Sequence, residues 1–395
     1  MIKRKKKNKE HNPFYDPTLK KRHVSAKRFK KFTLTSLIFS VAFLAFFLFD
    51  MIGKGIPAFN IAYIKVDVTF NEKTLEDTRF AVPTEYRNLV SRAALRDLPK
   101  LLEENPTYMN STQNIWILAS SQVDQYIKNH NHNLKDKDIA KVDELYAQGL
   151  IDKKFNAIFF ENGDSKIPEY AGIFSAVIGS ILTLIITMAV AFPIGVMTAI
   201  YLEEFAGDNK FTRFIEININ NLAAIPSILF GLLGLAIFIN LFGMPRSSPL
   251  VGGLTLALMT LPIIIVSSRA ALRAVPDSIR QAGYGLGLNK IQVTKDHVLP
   301  LAFPGIMTGS IIGLAQAMGE TAPLIIIGMI AFIPDAPSMV TQAATVMPAQ
   351  LFTWAGMPEG MYIEKTAAGI LVLLTILISL NAIAIYFRKK LEVKW

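Results

Sequence analysis

The chain has 395 residues, of which 51% are hydrophobic and only 18% charged, whereas an ordinary soluble domain carries about 25% charged residues. Because the apolar residues are gathered in long uncharged blocks, the composition excludes a wholly soluble enzyme, a disordered protein and a coiled coil. The net charge of +10 is concentrated in residues 1–31, which hold 13 Lys or Arg against two acidic residues. One basic tail of this kind argues against a nucleic-acid-binding fold. The absence of cysteine excludes disulfide bonds and thiolate chemistry.

Six apolar segments follow the basic tail. A helix needs roughly 20 apolar residues to cross the hydrocarbon core of a bilayer, and the segments that meet this length are 32–52, 171–202, 217–245, 247–268, 298–319 and 366–387. Basic residues cluster at both chain ends and in the loop 269–297, so the positive-inside rule places all three in the cytoplasm. We therefore predict an all-α polytopic membrane protein with six transmembrane helices and cytoplasmic tails 1–31 and 389–395. A cleaved signal peptide is the alternative for the first segment.

Residues 54–170 form an extracytoplasmic insertion, long enough for a small domain. Alternating apolar residues predict a strand over 62–70, and helical periodicity predicts helices over 89–102 and 139–146. The stretch 156–160 is a short strand candidate, so the insertion is expected to be a small α+β domain. A group of potential metal ligands lies among Asn and Lys with no apolar framework, which favours a solvated loop over a metal site; its members are His130, His132, Asp136 and Asp138.

The loop 276–300 before the fifth segment carries helix-capping signals. Ser278 and Gln281 fit a capping box, Gly287 fits a left-handed helix stop, and Asn289 is placed to cap a second short helix before Pro300. The predicted product is a helix, a glycine turn and a second helix that leads into the membrane. Such a rigid knob suits a cytoplasmic partner, although an ordinary basic loop is the alternative.

The spacing of this loop resembles the EAA motif of binding-protein-dependent ABC importer permeases, E-A-A-x3-G-x9-I-x-L-P. The matching positions are Gln281, Ala282, Gly283, Gly287, His297, Leu299 and Pro300. Gln281, Gly283 and His297 depart from the motif in residue type but not in spacing. The resemblance implies that the loop docks on a separate ATPase through Gln281, Ala282, Gly283, Gly287, Leu299 and Pro300. Consistent with a separate ATPase, the chain has no G-x-x-x-x-G-K-[ST] phosphate-binding loop, so we predict no catalytic residue and no enzyme activity of its own.

The fifth segment combines a glycine stripe with a carboxylate. Every fourth residue on one face is glycine, at Gly305, Gly309 and Gly313, which favours close helix packing in lipid. The same face continues to Gln316 and Glu320. A carboxylate within a membrane segment is a functional-site hypothesis because its burial is costly. Pro323 cannot donate to the carbonyl four residues earlier, so the helix should kink or open beside Glu320. The alternative is that Glu320 lies at the outer interface and meets water.

The string Gly319-Glu320-Thr321-Ala322-Pro323-Leu324 resembles the G-E-T-A-P-L signature of phosphate-specific ABC permeases of the Pst A type. A second matching stretch is Ile225-Pro226-Ser227. The resemblance covers about 171–390 and implies a type I importer permease (MetI-like) core over 171–388 in the bacterial inner membrane. The residues that it suggests for the translocation path are Glu320, Gln316, Thr321, Pro226 and Ser227. The family usually has Arg at the position of Gln316. It often has Arg at the position of Val266 as well, and there this chain offers Arg269 instead.

The resemblance implies a permease subunit of an ATP-driven importer of inorganic phosphate. The expected partners are a second permease subunit of the Pst C type, a Pst B-type ATPase dimer that carries ATP–Mg, a Pst S-type extracytoplasmic binding protein and membrane lipid. This chain itself is expected to hold no cofactor. Three alternatives stay open: a permease for sulfate or molybdate, a membrane-anchored sensor whose 54–170 domain binds a ligand, and a secondary transporter.

Overall fold

The computed structural model describes residues 18–330 and 332–391. The first 17 residues of the predicted basic tail and residues 392–395 of the C-terminal tail lie outside these ranges. The first helix, α1, spans Leu19–Gly55, so it begins 13 residues before the predicted start at residue 32. Lys and Arg are good helix formers, and the basic stretch therefore continues the apolar helix instead of ending it.

The insertion is built on a three-stranded antiparallel sheet. Its strands are β1 (Asn60–Phe70), β2 (Ser111–Leu118) and β3 (Ile151–Phe155), in the order β2-β1-β3. Six helices surround the sheet: α2 (Glu72–Glu76), α3 (Arg92–Arg96), α4 (Leu98–Glu104), α5 (Ser121–Ile127), α6 (Asp136–Ala147) and α7 (Ala157–Glu161). Alternate residues of β1, among them Ile64 and Val68, are fully buried in the core of the domain. The predicted α+β insertion is confirmed.

Two local predictions in the insertion are wrong. The helix predicted over 89–102 is divided at Asp97 into α3 and α4, because Pro99 has no amide hydrogen for a continuous helix and sits in the first turn of α4. The strand predicted over 156–160 is the helix α7. Asn156 starts it, since its side-chain oxygen accepts a hydrogen bond from the amide of Phe159 at 3.2 Å, a typical N-cap arrangement.

The remaining chain forms the helical core. Its helices are α8 (Phe174–Ile200), α9 (Lys210–Ala223), α10 (Ser227–Gly234), α11 (Pro249–Arg273), α12 (Asp277–Gly285), α13 (Lys290–Gln292), α14 (Leu299–Gly319), α15 (Ala322–Ile326), α16 (Met347–Ala355) and α17 (Gly360–Leu391). Short π-helical stretches extend α8 to Phe205 and α10 to Leu241 and join α13 to α14 over Val293–Val298.

Five helices in the described part of the chain are long and apolar enough to cross a membrane, and there are six if α9 and α10 count as one broken span. The predicted fold class is therefore confirmed. The third predicted span is wrong as a single helix over 217–245, because α9 and α10 meet at 104°. Pro226 explains the break, since the residue before a proline is displaced from the helical region of backbone space.

Helix α11 lies at the centre of the core, and glycines let its neighbours approach it closely. A Cβ atom added to Gly309 of α14 would lie 1.8 Å from the Ser267 hydroxyl oxygen, and one added to Gly305 would lie 2.6 Å from the Ala271 Cβ. A Cβ on Gly313 would make ordinary contact with α11. The three glycines singled out in the sequence thus all face α11, and the first two leave no room for a larger side chain.

Buried charged side chains join the insertion to α17. Glu364 is 4% exposed and accepts hydrogen bonds from Gln125 Nε2 at 2.8 Å and Lys128 Nζ at 3.1 Å. Lys365 is 1% exposed, and its ammonium donates to three main-chain carbonyls within 168–171, two of them at 2.6 Å. Every charge in this junction has a partner, which is the condition under which buried ions are tolerated.

The loop that was predicted to be solvated contributes to the same junction. His130 Nδ1 lies within hydrogen-bonding distance of Glu364 Oε1, and the His132 ring packs edge-on against Tyr126 with centroids 4.9 Å apart. The prediction of a freely solvated loop is therefore wrong for these two histidines. No group of three or more potential metal ligands occurs among the residues that the structure describes.

Candidate translocation path and ATPase-docking loop

Helix α14 opens beside Glu320. The helix ends at Gly319, Glu320 adopts an extended conformation (φ −75°, ψ 129°), and α15 begins at Ala322 with Pro323 in its first turn. Pro323 cannot supply the amide hydrogen that would bond the Gly319 carbonyl. The predicted helix opening is confirmed, and its cause is the one read from the sequence.

The helix that follows a second break packs against the helix that follows the first. Helix α10 starts after Pro226, and a Cβ atom added to its Gly231 would lie 2.7 Å from the Pro323 Cα and 2.9 Å from the Pro323 carbonyl oxygen. The absence of a side chain at Gly231 therefore allows the backbones of α10 and α15 to touch. The helix that begins at the 225–227 motif thus contacts Pro323 of the 319–324 motif, although about 95 residues separate the two motifs.

The contacts of α11 set the depth of Glu320. On one side of it, Gly313 faces Thr260 and Ile264; on the other, Leu324 Cδ2 would lie 3.4 Å from a Cβ on Gly252. Glu320 is therefore level with the part of α11 between residues 252 and 260. At 1.5 Å per residue, this level is roughly 5 to 17 Å below the α11 end at Pro249. The main chain at Glu320 therefore lies within the length of α11 and not beyond its outer end.

The Glu320 carboxylate is half-buried and has no ion pair or side-chain hydrogen bond to any residue in 18–330 or 332–391. Gln316, one turn earlier on α14, is exposed, as is Pro226, whereas Thr321 and Ser227 are half-buried. The side chains predicted for the path are thus exposed or half-buried, and their role in a path stays a prediction. A carboxylate in this position requires water or a group from outside the chain to offset its desolvation.

Arg269, the nearest basic residue to the position where the family has Arg, does not face an open path. Its guanidinium pairs with Glu203 at 3.3 Å and with Glu216 of α9, while Arg273 pairs with Glu203 at 2.7 Å. Arg269 is thus neutralised by carboxylates at the end of α11 that carries the docking loop. Any cation that meets an anion beside Glu320 would have to come from a residue other than Arg269.

The docking loop folds as a helix, a glycine turn and a helix, as predicted. Helix α12 ends before Gly287, which has φ +80°, and Asn289 forms a capping box with Gln292, both bonds measuring 2.9 Å. The capping box predicted at Ser278 and Gln281 is wrong, because α12 begins one residue earlier, directly after Pro276, and has no side-chain cap.

One position of the docking loop is buried against the core, and most of its other predicted docking residues are exposed. Gly283 is buried, and a Cβ atom there would lie 2.8 Å from Val293 Cγ2. Gly283 therefore lets α12 pack closely against the π-helical stretch that precedes α14. Gln281, Ala282, Gly287 and Pro300 are exposed, and Leu299 is half-buried. Exposed apolar side chains that the sequence analysis did not select surround them: Tyr284, Leu286 and Ile291.

One functional candidate in this loop was missed. Arg280 of α12 pairs with the buried Glu204 at 2.7 Å and also donates to the carbonyls of Leu272 at 2.9 Å and Val275 at 2.8 Å. Glu204 belongs to the π-helical end of α8. The fork of the guanidinium thereby ties the docking helix to α8 and α11 at once. The signal available in the sequence was that Glu203 and Glu204 are the first charges after a long uncharged block.

Comparison with known proteins identifies the family. Residues 191–393 match the family described as binding-protein-dependent transport system inner membrane component. The chain belongs to this family. It is thus a multi-pass inner-membrane transport component. Residues 16–86 and 81–136 match a domain of unknown function, DUF3333, which covers α1 and much of the insertion.

Individual relatives agree with this assignment. The chain is 36% identical to a phosphate transport system permease protein PstA of Mycobacterium leprae over 160 residues, which cover 40% of this chain and 52% of that protein. It is 30% identical to PstA of Yersinia pestis over 244 residues, covering 61% and 80%. The chain thus spans about half the length of the mycobacterial relative. A solved inward-facing MetNI methionine ABC transporter aligns with a TM-score of 0.45 and 16% identity, covering 56% of this chain and 98% of that one.

Proposed function

We propose that this chain is the Pst A-type permease subunit of an ATP-driven importer of inorganic phosphate. The observation that carries the proposal is the junction at Glu320: the G-E-T-A-P-L segment and the I-P-S segment each break a helix, and Gly231 allows the helices that follow the two breaks, α10 and α15, to touch. The names of the relatives at 30–36% identity support phosphate as the substrate. Both chain termini and the docking loop lie in the cytoplasm in this proposal.

The partners follow from the surfaces of the chain. The exposed surface of the docking loop, which includes Leu286 and Ile291, binds a Pst B-type ATPase dimer that carries ATP–Mg. A second permease subunit of the Pst C type covers the open side of the Glu320 junction and supplies the cations that this chain does not place there. A Pst S-type binding protein delivers phosphate from the extracytoplasmic side, where the insertion stands.

The geometry suggests how ATP hydrolysis is transmitted. Closure of the ATPase dimer displaces α12, and the Arg280–Glu204 pair passes the displacement to α8 while Gly283 passes it to α14. Helix α14 ends at the Glu320 break, so its movement changes the opening between α10 and α15. The unpaired carboxylate then orients or gates the anion and does not bind it directly, since like charges repel.

The test is uptake by the assembled complex. This chain, its second permease subunit, the ATPase and the binding protein are reconstituted in liposomes, and uptake of radiolabelled phosphate is measured with and without ATP and with sulfate or molybdate as competitor. We expect uptake that requires ATP and is unaffected by a hundredfold excess of sulfate. Displacement of phosphate by sulfate or molybdate would assign a different oxyanion, and uptake without ATP would favour a secondary transporter.

A further inference from the structure

A large open cleft in the insertion has five basic residues and two acidic residues in its lining. Its volume is about 640 Å³, which is within the range of pockets that hold organic ligands. Five basic side chains from three separate segments border it: Arg87, Arg92, Arg96, Lys135 and Lys166. The insertion as a whole is nearly neutral, with 15 basic and 17 acidic residues in 54–170. The positive charge of this cleft is therefore a local concentration and not a property of the domain.

The cations of the cleft are poorly compensated. Arg92, Arg96 and Lys135 are exposed, and the side chain of none of them forms an ion pair or hydrogen bond with another described residue. Arg92 and Arg96 lie four residues apart on α3, a spacing at which like charges destabilise a helix. The described chain places no ion-pair partner on these three side chains, which points to a counter-charge that comes from outside.

The other side chains of the cleft do not cancel this charge. Asp138 and Glu169 are the two acidic residues among its lining. Glu169 is buried and accepts a hydrogen bond from the amide of Ser121, and burial raises its pKa. Arg87 is held in place by the Phe80 ring, 4.9 Å from its guanidinium carbon, and by a 3.4 Å bond from its Nε to the Val82 carbonyl. Its two terminal nitrogens donate to no described residue.

We propose that this cleft is a binding site for a polyanion of the phosphate or sulfate type, separate from the translocation path. Planar guanidinium groups match the oxygen atoms of such anions in pairs, and the volume exceeds what a single inorganic phosphate fills. Two sources share this chemistry: a soluble polyphosphorylated anion and an anionic lipid headgroup. The lining from Arg87 to Lys135 lies in the part of the chain that matches a domain of unknown function, whereas Asp138 and the segment Lys166–Glu169 lie outside it. The existence of the site does not depend on which ion the core transports.

The position of the cleft connects it to the core. The start of α5, with Ser121, lines the cleft, and the same helix carries Gln125, which bonds Glu364 of α17. The segment that holds Glu169 also lines the cleft and offers carbonyls to Lys365 of α17. An anion in the cleft therefore rests on the two segments that hold α17.

The test measures anion binding to the full-length chain in detergent by calorimetry at an ionic strength of about 0.15 M, where distant surface charges are screened. The probes are tripolyphosphate, inorganic phosphate, sulfate, and short-chain phosphatidylglycerol with phosphatidylcholine as its neutral counterpart. The cleft variant is the double substitution Arg92→Gln with Arg96→Gln. The matched control, Lys100→Gln with Lys153→Gln, removes the same charge from exposed positions of the same domain outside the cleft.

We expect tripolyphosphate or phosphatidylglycerol to bind, and the cleft variant to weaken binding by tenfold or more, since each charged hydrogen bond contributes about one order of magnitude in affinity. The control should bind like the unmodified chain. Preference for tripolyphosphate assigns a soluble anion, and preference for phosphatidylglycerol assigns a lipid headgroup. Equal binding by the cleft variant and the control would overturn the site, as would failure of every probe to bind. Thermal melting of both variants verifies that they are folded.

Discussion

The two junctions of this chain hold their charged groups in opposite ways. Where the insertion meets α17, Glu364 and Lys128 are buried and paired with each other. Where α10 meets α15, the Glu320 carboxylate is half-buried and has no partner in the described chain. Removing a member of a buried pair is costly, so the first junction is built to stay closed. The second leaves its charge available to water or to a group from outside the chain.

The largest effect is expected from a substitution that breaks the junction between the insertion and α17. Substitution Glu364→Gln takes the carboxylate from His130 and one of two carboxylates from Lys128, which keeps its pair with Asp124 at 2.6 Å. Loss of one partner of a buried ion pair costs up to about 3–5 kcal/mol. We expect a fall of this size in the free energy of unfolding, measured by thermal unfolding of the purified chain. Glu359→Gln, a few residues earlier and without a described ion-pair partner, is the matched control and should have little effect. Equal stability of the two variants would show that the buried pair does not hold the insertion.

The second prediction concerns Asp164, whose titration makes the stability of the folded chain depend on pH. Burial raises the pKa of Asp164 to about 6, from a model-peptide value of about 3.9. Between pH 4 and 6 the folded chain binds more protons at this group than the unfolded chain, so its contribution to stability falls as the pH rises and is constant above the folded pKa. Asp164→Asn keeps an acceptor for the Trp354 indole, 2.8 Å away, and removes the charge.

We therefore expect Asp164→Asn to be more stable than the unmodified chain by up to about 3 kcal/mol at pH 7.5 and equally stable at pH 4. Thermal unfolding of both chains across this pH range measures the difference. The same pH dependence in both chains would rule out Asp164 as its source.

A third, smaller effect probes the open junction. A Cβ at Gly231 would lie 2.7 Å from Pro323, and overpacking of this kind costs about 1–3 kcal/mol. We expect Gly231→Ala to lower the unfolding temperature slightly and to reduce transport strongly, because α10 and α15 are forced apart at the path. Gly53→Ala, at a position with open space around it and outside both the docking loop and the junction, is the control. Normal transport by Gly231→Ala would show that the close contact between α10 and α15 is not required for transport.

The smallest effect on stability is expected at the Arg280–Glu204 link, which lies partly exposed at the other end of the core. Arg280→Lys keeps the charge but not the fork that reaches Glu204 and two carbonyls. We expect nearly unchanged assembly with the ATPase and a lower ratio of phosphate transported to ATP hydrolysed. An unchanged ratio would show that Arg280 only stabilises the loop.

Local features of the fold were predictable from the sequence, because their causes are local. Pro323 predicts the opening at Glu320, Gly287 predicts the left-handed turn, and uncharged runs predict the spans. The break at Pro226 was equally local, but the apolar run across it concealed the proline. Contacts over long separations were not predictable: Arg280 meets Glu204 across 76 positions and Lys128 meets Glu364 across 236. No periodicity in the sequence predicts such pairs. The ion pairs of the docking loop and of the α17 junction were therefore found only in the structure.

The most direct test of the account is transport by Glu320→Gln in the reconstituted complex, beside the control Glu359→Gln. The substitution keeps the size of the side chain and removes the charge that lies unpaired beside the two helix breaks. We predict that ATP-dependent phosphate uptake falls at least tenfold in Glu320→Gln while the amount of assembled complex stays the same, and that Glu359→Gln transports normally. Unchanged uptake kinetics in Glu320→Gln would contradict the assignment of this junction to the translocation path.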